Sequence, residues 1–155
     1  MTKRILFVCL GNICRSPAAE GVLRIRARDR DIDLFIDSAG TGAWHVGDPP
    51  DARMIQAAGK RGYAIGHQRA RKVGLADFYE FDYLLAMDLS NHTDLLDLAP
   101  PNRSCDIRLF LDFADCETRE TPDPYYGGAD GFSQVLDLIE LGVDGFLDHV
   151  EDESE

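Results

Sequence analysis

Apolar residues alternate along the chain between short continuous runs and longer segments with helical spacing. Residues 4–9 form a continuous β-prone run, typical of a strand covered on both faces in a parallel sheet. Further strands are predicted at 34–37, 82–87 and 107–111, and helices at 16–28, 51–62, 90–98 and 130–150. This alternation predicts an α/β fold, a doubly wound, four-stranded parallel sheet with helices on both faces.

Length and loop positions indicate how this fold is organised. The 155 residues suit one domain, which we assign to residues 1–150. The acidic segment 151–155 is expected to be a disordered tail. A long loop is predicted at about 112–128, and loops of this length inside a compact domain usually carry function.

Charge is distributed unevenly between the two halves of the sequence. The formal net charge is -12. Residues 1–76 nevertheless carry thirteen Lys/Arg against seven Asp/Glu, whereas residues 77–155 carry three against twenty-one. An acidic protein repels nucleic acid and anionic lipid, so we expect neither as a main partner. A small anion could still bind to the basic half.

Hydropathy and cysteine usage indicate the compartment and the chemistry. The longest apolar run, residues 5–10, is too short to span a membrane, and we expect a cytoplasmic protein. The four cysteines are expected to be reduced thiols. They include no C-x-x-C pair and the histidines are scattered singly, so no metal or other cofactor is expected.

The first strand-to-helix turn carries the strongest chemical signal. It reads CLGNICRS over residues 9–16, and it follows a buried strand and opens a helix, as a phosphate-binding loop must. Gly11 and Asn12 permit a tight turn in which the backbone N–H groups of residues 10–15 converge on an anion. Arg15 matches two phosphate oxygens with its planar guanidinium.

The same turn places a thiol where it can react. A helix N-terminus and a nearby cation stabilise a thiolate, and Ser16 could donate a hydrogen bond to the sulfur of Cys9. A thiolate beneath a bound phosphate is an in-line nucleophile. The alternative interpretation is a buried cysteine at the end of a strand and an arginine that forms a helix salt bridge.

A carboxylate in the second half could complete this chemistry. Phosphoryl transfer needs an acid for the leaving oxygen and later a base for water. Asp123 lies between two prolines that stiffen its backbone, and Tyr125 and Tyr126 could form a wall for an aromatic substrate. The alternative is an ordinary turn.

Three segments together resemble the low-molecular-weight protein tyrosine phosphatases: VCLGNICRSP at 8–17, DSAGT at 37–41 and DPYY at 123–126. The resemblance covers essentially the whole chain. It implies Cys9 as nucleophile, Arg15 as phosphate binder and Asp123 as general acid, without a metal. It also implies further roles: Asn12, Ser16 and Ser38 would hold the loop, whose residues Leu10, Gly11, Asn12, Ile13, Cys14 and Arg15 bind phosphate, while Trp44, Tyr125 and Tyr126 would line the cleft.

The resemblance extends to regulation, and the chain departs from it at one point. It favours Cys14 as a redox partner that forms a disulfide with oxidised Cys9. The family often has a histidine two residues before an Ala-Arg pair, where this chain has Gln68 preceded by His67. Which of the two supports the loop stays open. Cys105 and Cys116 are interpreted as incidental thiols.

The function predicted from the sequence is therefore hydrolysis of protein phosphotyrosine through a phosphocysteine. The expected partner is a phosphotyrosine-bearing protein, and a tyrosine kinase is a candidate because Tyr125 or Tyr126 could be its target. We expect a monomer or weak dimer. Two alternatives are kept: a thiol-dependent arsenate reductase, which would need further relay cysteines, and a phosphate-binding module without catalysis.

Overall fold

The computed structural model describes residues 2–124 and 129–154, with only the backbone of residues 129 and 154. Strands and helices alternate along this part of the chain, followed by a long closing helix. The elements are β1 (Lys3–Cys9), α1 (Arg15–Asp29), β2 (Leu34–Gly40), α2 (Ala52–Lys60), α3 (Asp77–Glu80), β3 (Tyr83–Ala86), α4 (Leu89–Leu98), β4 (Asp106–Leu109), a 3₁₀ helix (Phe110–Phe113) and α5 (Ala129–Ser154).

The four strands form one parallel sheet in the order β2-β1-β3-β4, which confirms the predicted architecture. Strand β1 is central because its residues are apolar on both faces, and Ile5, Leu6, Phe7 and Val8 are completely buried. The chain leaves β1 towards β2 on one side and reaches β3 on the other. The carboxyl end of β1 is therefore the switch point at which ligands bind in open α/β sheets.

Helices cover both faces of the sheet. Ile5 and Phe7 pack in a cluster with side chains of α1, α2 and α5, whereas Leu6 and Val8 pack with Phe78 of α3 and Leu95 of α4. Among the helices of residues 2–124 and 129–154, none is long and apolar enough to cross a membrane.

The acidic helix α5 is fixed to the basic half of the chain by ion pairs. Arg26 contacts Glu140 and Asp144 at 2.8 and 2.7 Å. Arg61 contacts Glu140 at 2.5 Å, and Arg30 contacts Asp148 at 2.7 Å. Basic residues of the first half of the sequence thus form ion pairs with the acidic helix α5 of the second half.

The prediction of a disordered tail at 151–155 has to be corrected, because α5 continues to Ser154. Two acidic residues of this segment have basic partners: Glu151 pairs with Arg30 at 3.3 Å, and Glu153 pairs with His149 at 2.7 Å. Tyr83 also donates a hydrogen bond to Glu153. Glu151 and Glu153 therefore belong to the last turn of α5 and not to a disordered tail.

Two strands end two or more residues away from the predicted position. Strand β2 continues beyond residue 37 to Gly40 because it pairs with β1 as far as Cys9. Strand β4 ends at Leu109, and a 3₁₀ helix occupies residues 110–113. The short helix α3 was not predicted, since four residues give no helical period to recognise.

Candidate active site

The loop between β1 and α1 folds around the sulfur of Cys9. Cys9 is 3% exposed, and its Sγ lies 2.9 Å from Ser16 Oγ. The backbone N–H of Asn12 donates to the same sulfur at 3.3 Å. The start of α1 and these polar neighbours surround the sulfur with the partial positive charge of hydrogen-bond donors.

Asn12 is the centre of a buried hydrogen-bond network. Its backbone adopts a left-handed conformation with φ of 57°, which asparagine tolerates better than most residues. Its amide nitrogen donates to Ser16 Oγ at 2.8 Å and to Ser38 Oγ at 3.0 Å, and its Oδ1 accepts from the Arg71 N–H at 3.0 Å. This loop conformation is therefore fixed from three sides.

The network ends at a buried carboxylate that the sequence analysis missed. Ser38 Oγ donates to Glu20 Oε1 at 2.8 Å, and Arg24 pairs with the other oxygen of Glu20 at 2.7 Å. Burial raises the pKa of Glu20 above its ordinary value, although hydrogen bonds from Arg24 and Ser38 act in the opposite direction. Glu20 lies one helical turn after Ser16, so its position on the same face of α1 was a usable signal.

Arg15 is buried next to the thiol, with its guanidinium held by residues far along the chain. Its Nη1 donates to Asp88 Oδ2 at 2.6 Å and to the Thr121 carbonyl at 3.0 Å. Burial opposes its charge, but Cys9 and Asp88 outweigh that cost and raise the pKa of Arg15 above its ordinary value. The guanidinium is therefore a permanent cation at the site.

Asp88 was not singled out from the sequence. It follows β3 directly and caps α4, since its Oδ1 accepts from the Asn91 N–H at 2.7 Å. A polar residue at the carboxyl end of the strand beside β1 was the signal that could have identified it.

Asp123 reaches the same site from the long loop. Its Oδ2 lies 3.8 Å from Arg15 Nη2, and its side chain is 42% exposed. The predicted wall residues Tyr125 and Tyr126 lie outside the described residues.

A cavity of about 320 Å³ opens above the sulfur. Residues from three separate segments line it: Cys9, Leu10, Gly11, Ile13, Cys14, Arg15, Trp44, His45 and Asp123. We call Cys9, Asn12, Arg15, Ser16 and Ser38 the loop floor, and Leu10, Trp44, His45 and Asp123 the rim. The rim is exposed, since Trp44 is 74% and Leu10 44% accessible.

His45 is a rim residue that the sequence analysis did not assign. Its ring lines the cavity, and its Nδ1 lies 3.3 Å from Asp48 Oδ2. Its position directly after Trp44 in a Gly-rich loop was the available signal.

The second cysteine of the loop differs chemically from the first. Cys14 is buried, and burial together with the neighbouring Cys9 raises the pKa of its thiol well above the ordinary value. Cys14 therefore stays a neutral thiol beside the cavity. Cys105 and Cys116 are not among the residues that line this cavity.

Of His67 and Gln68, the two residues that could support the loop, only Gln68 is partly buried and contacts α1. His67 is exposed. Gln68 is partly buried, and its amide nitrogen donates to the Pro17 carbonyl at 3.0 Å. Gln68 thus contacts the first turn of α1. The basic partner of Glu20 is a different residue, Arg24.

The donor set of the site suits an anion. Within residues 2–124 and 129–154, no group of three or more His, Cys, Asp or Glu side chains could hold a metal ion. A glycine-containing loop, the N-terminus of α1 and a buried guanidinium instead lie around a sulfur, an arrangement suited to a tetrahedral oxyanion. Fold and site together define an α/β protein with a cysteine-containing anion loop.

Comparisons with known proteins identify the family within this class. A model of the low molecular weight phosphotyrosine protein phosphatases matches residues 4–155. The Schizosaccharomyces pombe low molecular weight phosphotyrosine protein phosphatase is 46% identical over 148 residues, covering 91% of this chain and 94% of that relative. A low molecular weight protein-tyrosine-phosphatase of Streptomyces coelicolor is 38% identical over 161 residues, covering 100% and 98%.

A solved structure agrees with both. The Entamoeba histolytica protein tyrosine phosphatase crystallised with Hepes in its active site superposes with a TM-score of 0.94 at 39% identity, covering 99% of this chain and 100% of that one. The chain belongs to the low molecular weight phosphotyrosine protein phosphatase family, and it is a protein-tyrosine-phosphatase enzyme.

Proposed function

We propose that the chain hydrolyses protein phosphotyrosine and small aryl phosphates without a metal, through a phosphocysteine on Cys9. One observation carries the proposal: the sulfur of Cys9, the charged guanidinium of Arg15 and the carboxyl group of Asp123 meet in a single cavity. Family membership supports the phosphotyrosine substrate.

The first step forms the covalent intermediate. The Cys9 thiolate attacks phosphorus in line, an S–P bond forms and the P–O bond to the tyrosine ring breaks. Asp123 gives its proton to the leaving phenolate. Arg15 and the loop N–H groups stabilise the charge on the equatorial oxygens, because they are already oriented towards it.

The second step releases phosphate. Asp123, now ionised, takes a proton from a water molecule, and that water attacks the phosphorus of the phosphocysteine. The S–P bond breaks, inorganic phosphate leaves and the Cys9 thiolate is restored. Asp123 is exposed enough for water to reach it, since its side chain is 42% accessible.

The depth of the cavity supports the choice of substrate. The sulfur lies at the base of the cavity and is 3% exposed, whereas Leu10 and Trp44 stand at its exposed rim. A phosphate on a long aromatic side chain can reach the sulfur while its ring contacts these apolar residues. A phosphate on the short serine side chain would bring the substrate backbone against the rim.

The test is a kinetic and mass-spectrometric comparison in the presence of a chelator. The wild type should hydrolyse an aryl phosphate and a phosphotyrosine peptide, and Cys9→Ser should abolish this activity. Asp123→Ala should slow it by roughly 10²–10⁴-fold, the usual share of general acid catalysis. Rapid acid quench should trap one phosphoryl group on the peptide that contains Cys9.

The control and the contrary outcomes are equally specific. Cys116→Ser removes a partly exposed thiol outside the cavity and should retain full activity. Activity that disappears with the chelator would contradict the metal-independent mechanism. Thiol-dependent arsenate reduction without ester hydrolysis would instead identify an arsenate reductase, and phosphate binding without turnover would identify a binding module.

We further propose that Cys14 protects the nucleophile from oxidation. Peroxide converts the Cys9 thiolate to a sulfenic acid, and the Cys14 thiol then displaces water to form a disulfide. Both cysteines line the same cavity. Activity lost to peroxide should return with dithiothreitol in the wild type, and it should return to a much smaller extent in Cys14→Ser. Equal recovery of the two proteins would contradict this role.

The cellular setting remains the one expected from the sequence. We propose a cytoplasmic enzyme that acts on a phosphotyrosine-bearing protein, with a tyrosine kinase as a candidate partner. We propose a monomer or weak dimer, which analytical ultracentrifugation over a range of concentrations would test.

A further inference from the structure

The indole ring of Trp44 lies directly over the backbone of Gly42. A Cβ atom added to Gly42 would overlap Cζ3 and Cε3 of the ring and would lie 2.9 Å from Cη2. The ring therefore occupies the space that any other side chain at residue 42 would need. Trp44 lines the cavity above Cys9, so this contact lies directly behind the rim.

The backbone of Gly42 itself needs no glycine. Its φ lies outside the left-handed region, which among the described glycines contains Gly47 and Gly62. The Gly42 N–H donates to the Leu10 carbonyl at 2.9 Å, a bond that alanine can also make. The missing side chain at 42 is thus explained by the Trp44 ring and not by the conformation of the chain.

A methyl group at residue 42 would displace the Trp44 ring without changing the fold. Trp44 is 74% exposed, so its ring can rotate towards solvent with little loss of packing. The loop around it is held independently by backbone hydrogen bonds, from Gly47 to Ala70 and from Ala70 to Asp48, at 2.8 and 2.9 Å.

We propose that Gly42 is a positioning residue that sets the place of the Trp44 indole at the rim, and thereby the preference of the enzyme for aromatic phosphate esters. The ring of an aryl phosphate meets Trp44, whereas its phosphate meets the loop floor. Displacing the indole therefore weakens binding of the aromatic part and leaves binding of the phosphate unchanged. The kinetic consequence rests on the proposed function, but the position of the ring does not.

The chain offers a direct reporter, because Trp44 is its single tryptophan. In Gly42→Ala, the emission maximum and the acrylamide quenching of Trp44 should change, while the melting temperature stays within about 2 °C, as for a surface substitution. Gly59→Ala is the matched control: no atom lies within 4 Å of a Cβ added there, and it should leave the fluorescence unchanged.

Kinetics separate a positioning role from a general defect. Gly42→Ala should raise KM for a phosphotyrosine peptide by about three- to tenfold, the range of one aromatic contact, with kcat nearly constant. Inhibition by inorganic phosphate, which touches only the loop floor, should keep the wild-type inhibition constant. In the Trp44→Ala background, the same substitution should have no further effect on KM.

Two results would overturn the proposal. If Gly42→Ala leaves the fluorescence of Trp44 unchanged, the methyl group has not moved the ring. If Gly42→Ala raises KM equally with and without Trp44, or weakens phosphate inhibition by the same factor, residue 42 acts through its contact with Leu10. The fluorescence result is obtained without substrate, so it stands even if the protein hydrolyses no ester.

Discussion

The loop floor and the rim of the same cavity are constructed in opposite ways. Every side chain of the loop floor is buried, and each is hydrogen-bonded to the rest of the network or to a residue from a distant strand or loop. At the rim, Leu10 and Trp44 are exposed. The side chain of Asp123 is 42% accessible, and its Oδ2 lies 3.8 Å from Arg15 Nη2. One surface is fixed before substrate arrives, and the other contacts solvent.

This difference suggests separate roles for the loop floor and the rim. In the proposed mechanism, donors that are already oriented stabilise developing charge without reorganisation, so we propose the loop floor as the source of rate. Exposed apolar side chains contribute contact area that depends on the ligand, so we propose the rim as the source of selectivity. Substitutions at the loop floor should therefore reduce kcat and stability together, whereas rim substitutions should change KM.

Among loop-floor and supporting residues other than the proposed nucleophile, the largest effect is expected for Asn12→Ala. It removes an amide with three partners and places alanine at φ of 57°, which costs about 1–2 kcal/mol for the backbone and about 1–3 kcal/mol for unmade bonds. We expect kcat/KM to fall by about 10²-fold or more. Asn12→Gly, which tolerates the same φ, should recover only the backbone part of the stability loss.

Leu10→Ala is the rim control for this comparison. Thermal unfolding and steady-state kinetics with an aryl phosphate should show its stability within about 0.5 kcal/mol of the wild type. If Asn12→Ala changed KM alone, as expected for a rim residue, the distinction between the two surfaces would fail.

Ser38→Ala is expected to have the next largest effect, mainly on stability. It removes one of the two acceptors of the Asn12 amide and a donor to the buried Glu20, so unfolding should become easier by about 1–3 kcal/mol. Denaturant unfolding measures this loss. Ser133→Ala, whose hydroxyl accepts from Arg61 at the surface, is the matched control and should have a much smaller effect. Equal losses would mean that burial of the network contributes nothing.

Asp88→Asn tests the anchor of the guanidinium. Asparagine caps a helix as well as aspartate, so α4 should remain stable, while Arg15 loses the nearer of its two carboxylate contacts. We expect kcat/KM for an aryl phosphate to fall by about tenfold, as for a lost charge-assisted bond. Asp88→Ala should lose about 1 kcal/mol of stability in addition. An unchanged kcat/KM in Asp88→Asn would show that the loop alone orients Arg15.

The smallest effect is a pH dependence that originates at Glu20. Because the folded pKa of this buried carboxyl is raised, the folded protein retains the proton to higher pH than the unfolded chain. Its contribution to stability is therefore present below the ordinary value of 4.5 and is lost as the pH rises through the raised value.

Glu20→Gln has no such titration. Its melting temperature relative to the wild type should therefore increase from acidic to neutral pH. A constant difference between the two proteins across this range would show that Glu20 titrates as an ordinary surface carboxyl.

The strongest prediction from the sequence concerns the parts of the site that lie on one continuous segment, whereas Ser38, Trp44 and Asp123 were added from other segments. Cys9, Asn12 and Arg15 could be recognised because a strand, a tight turn and a helix follow one another within the first elements. Asp88 contacts Arg15 across 73 residues of sequence, Glu20 contacts Ser38 on another element, and neither has a motif of its own. The helical end of α5 was missed in part for the same reason, since Lys3 and Arg30, which pair with Glu153 and Glu151, lie near the other end of the chain.

The guanidinium of Arg15 also has a consequence for biosynthesis. Its two acceptors, Asp88 and Thr121, follow it by 73 and 106 residues. A ribosome that has released the first strand and helix has made Cys9 and Arg15, but it has not yet made the groups that hold the guanidinium. The nascent polypeptide should therefore acquire catalytic competence only late in translation, after most of the sheet has emerged.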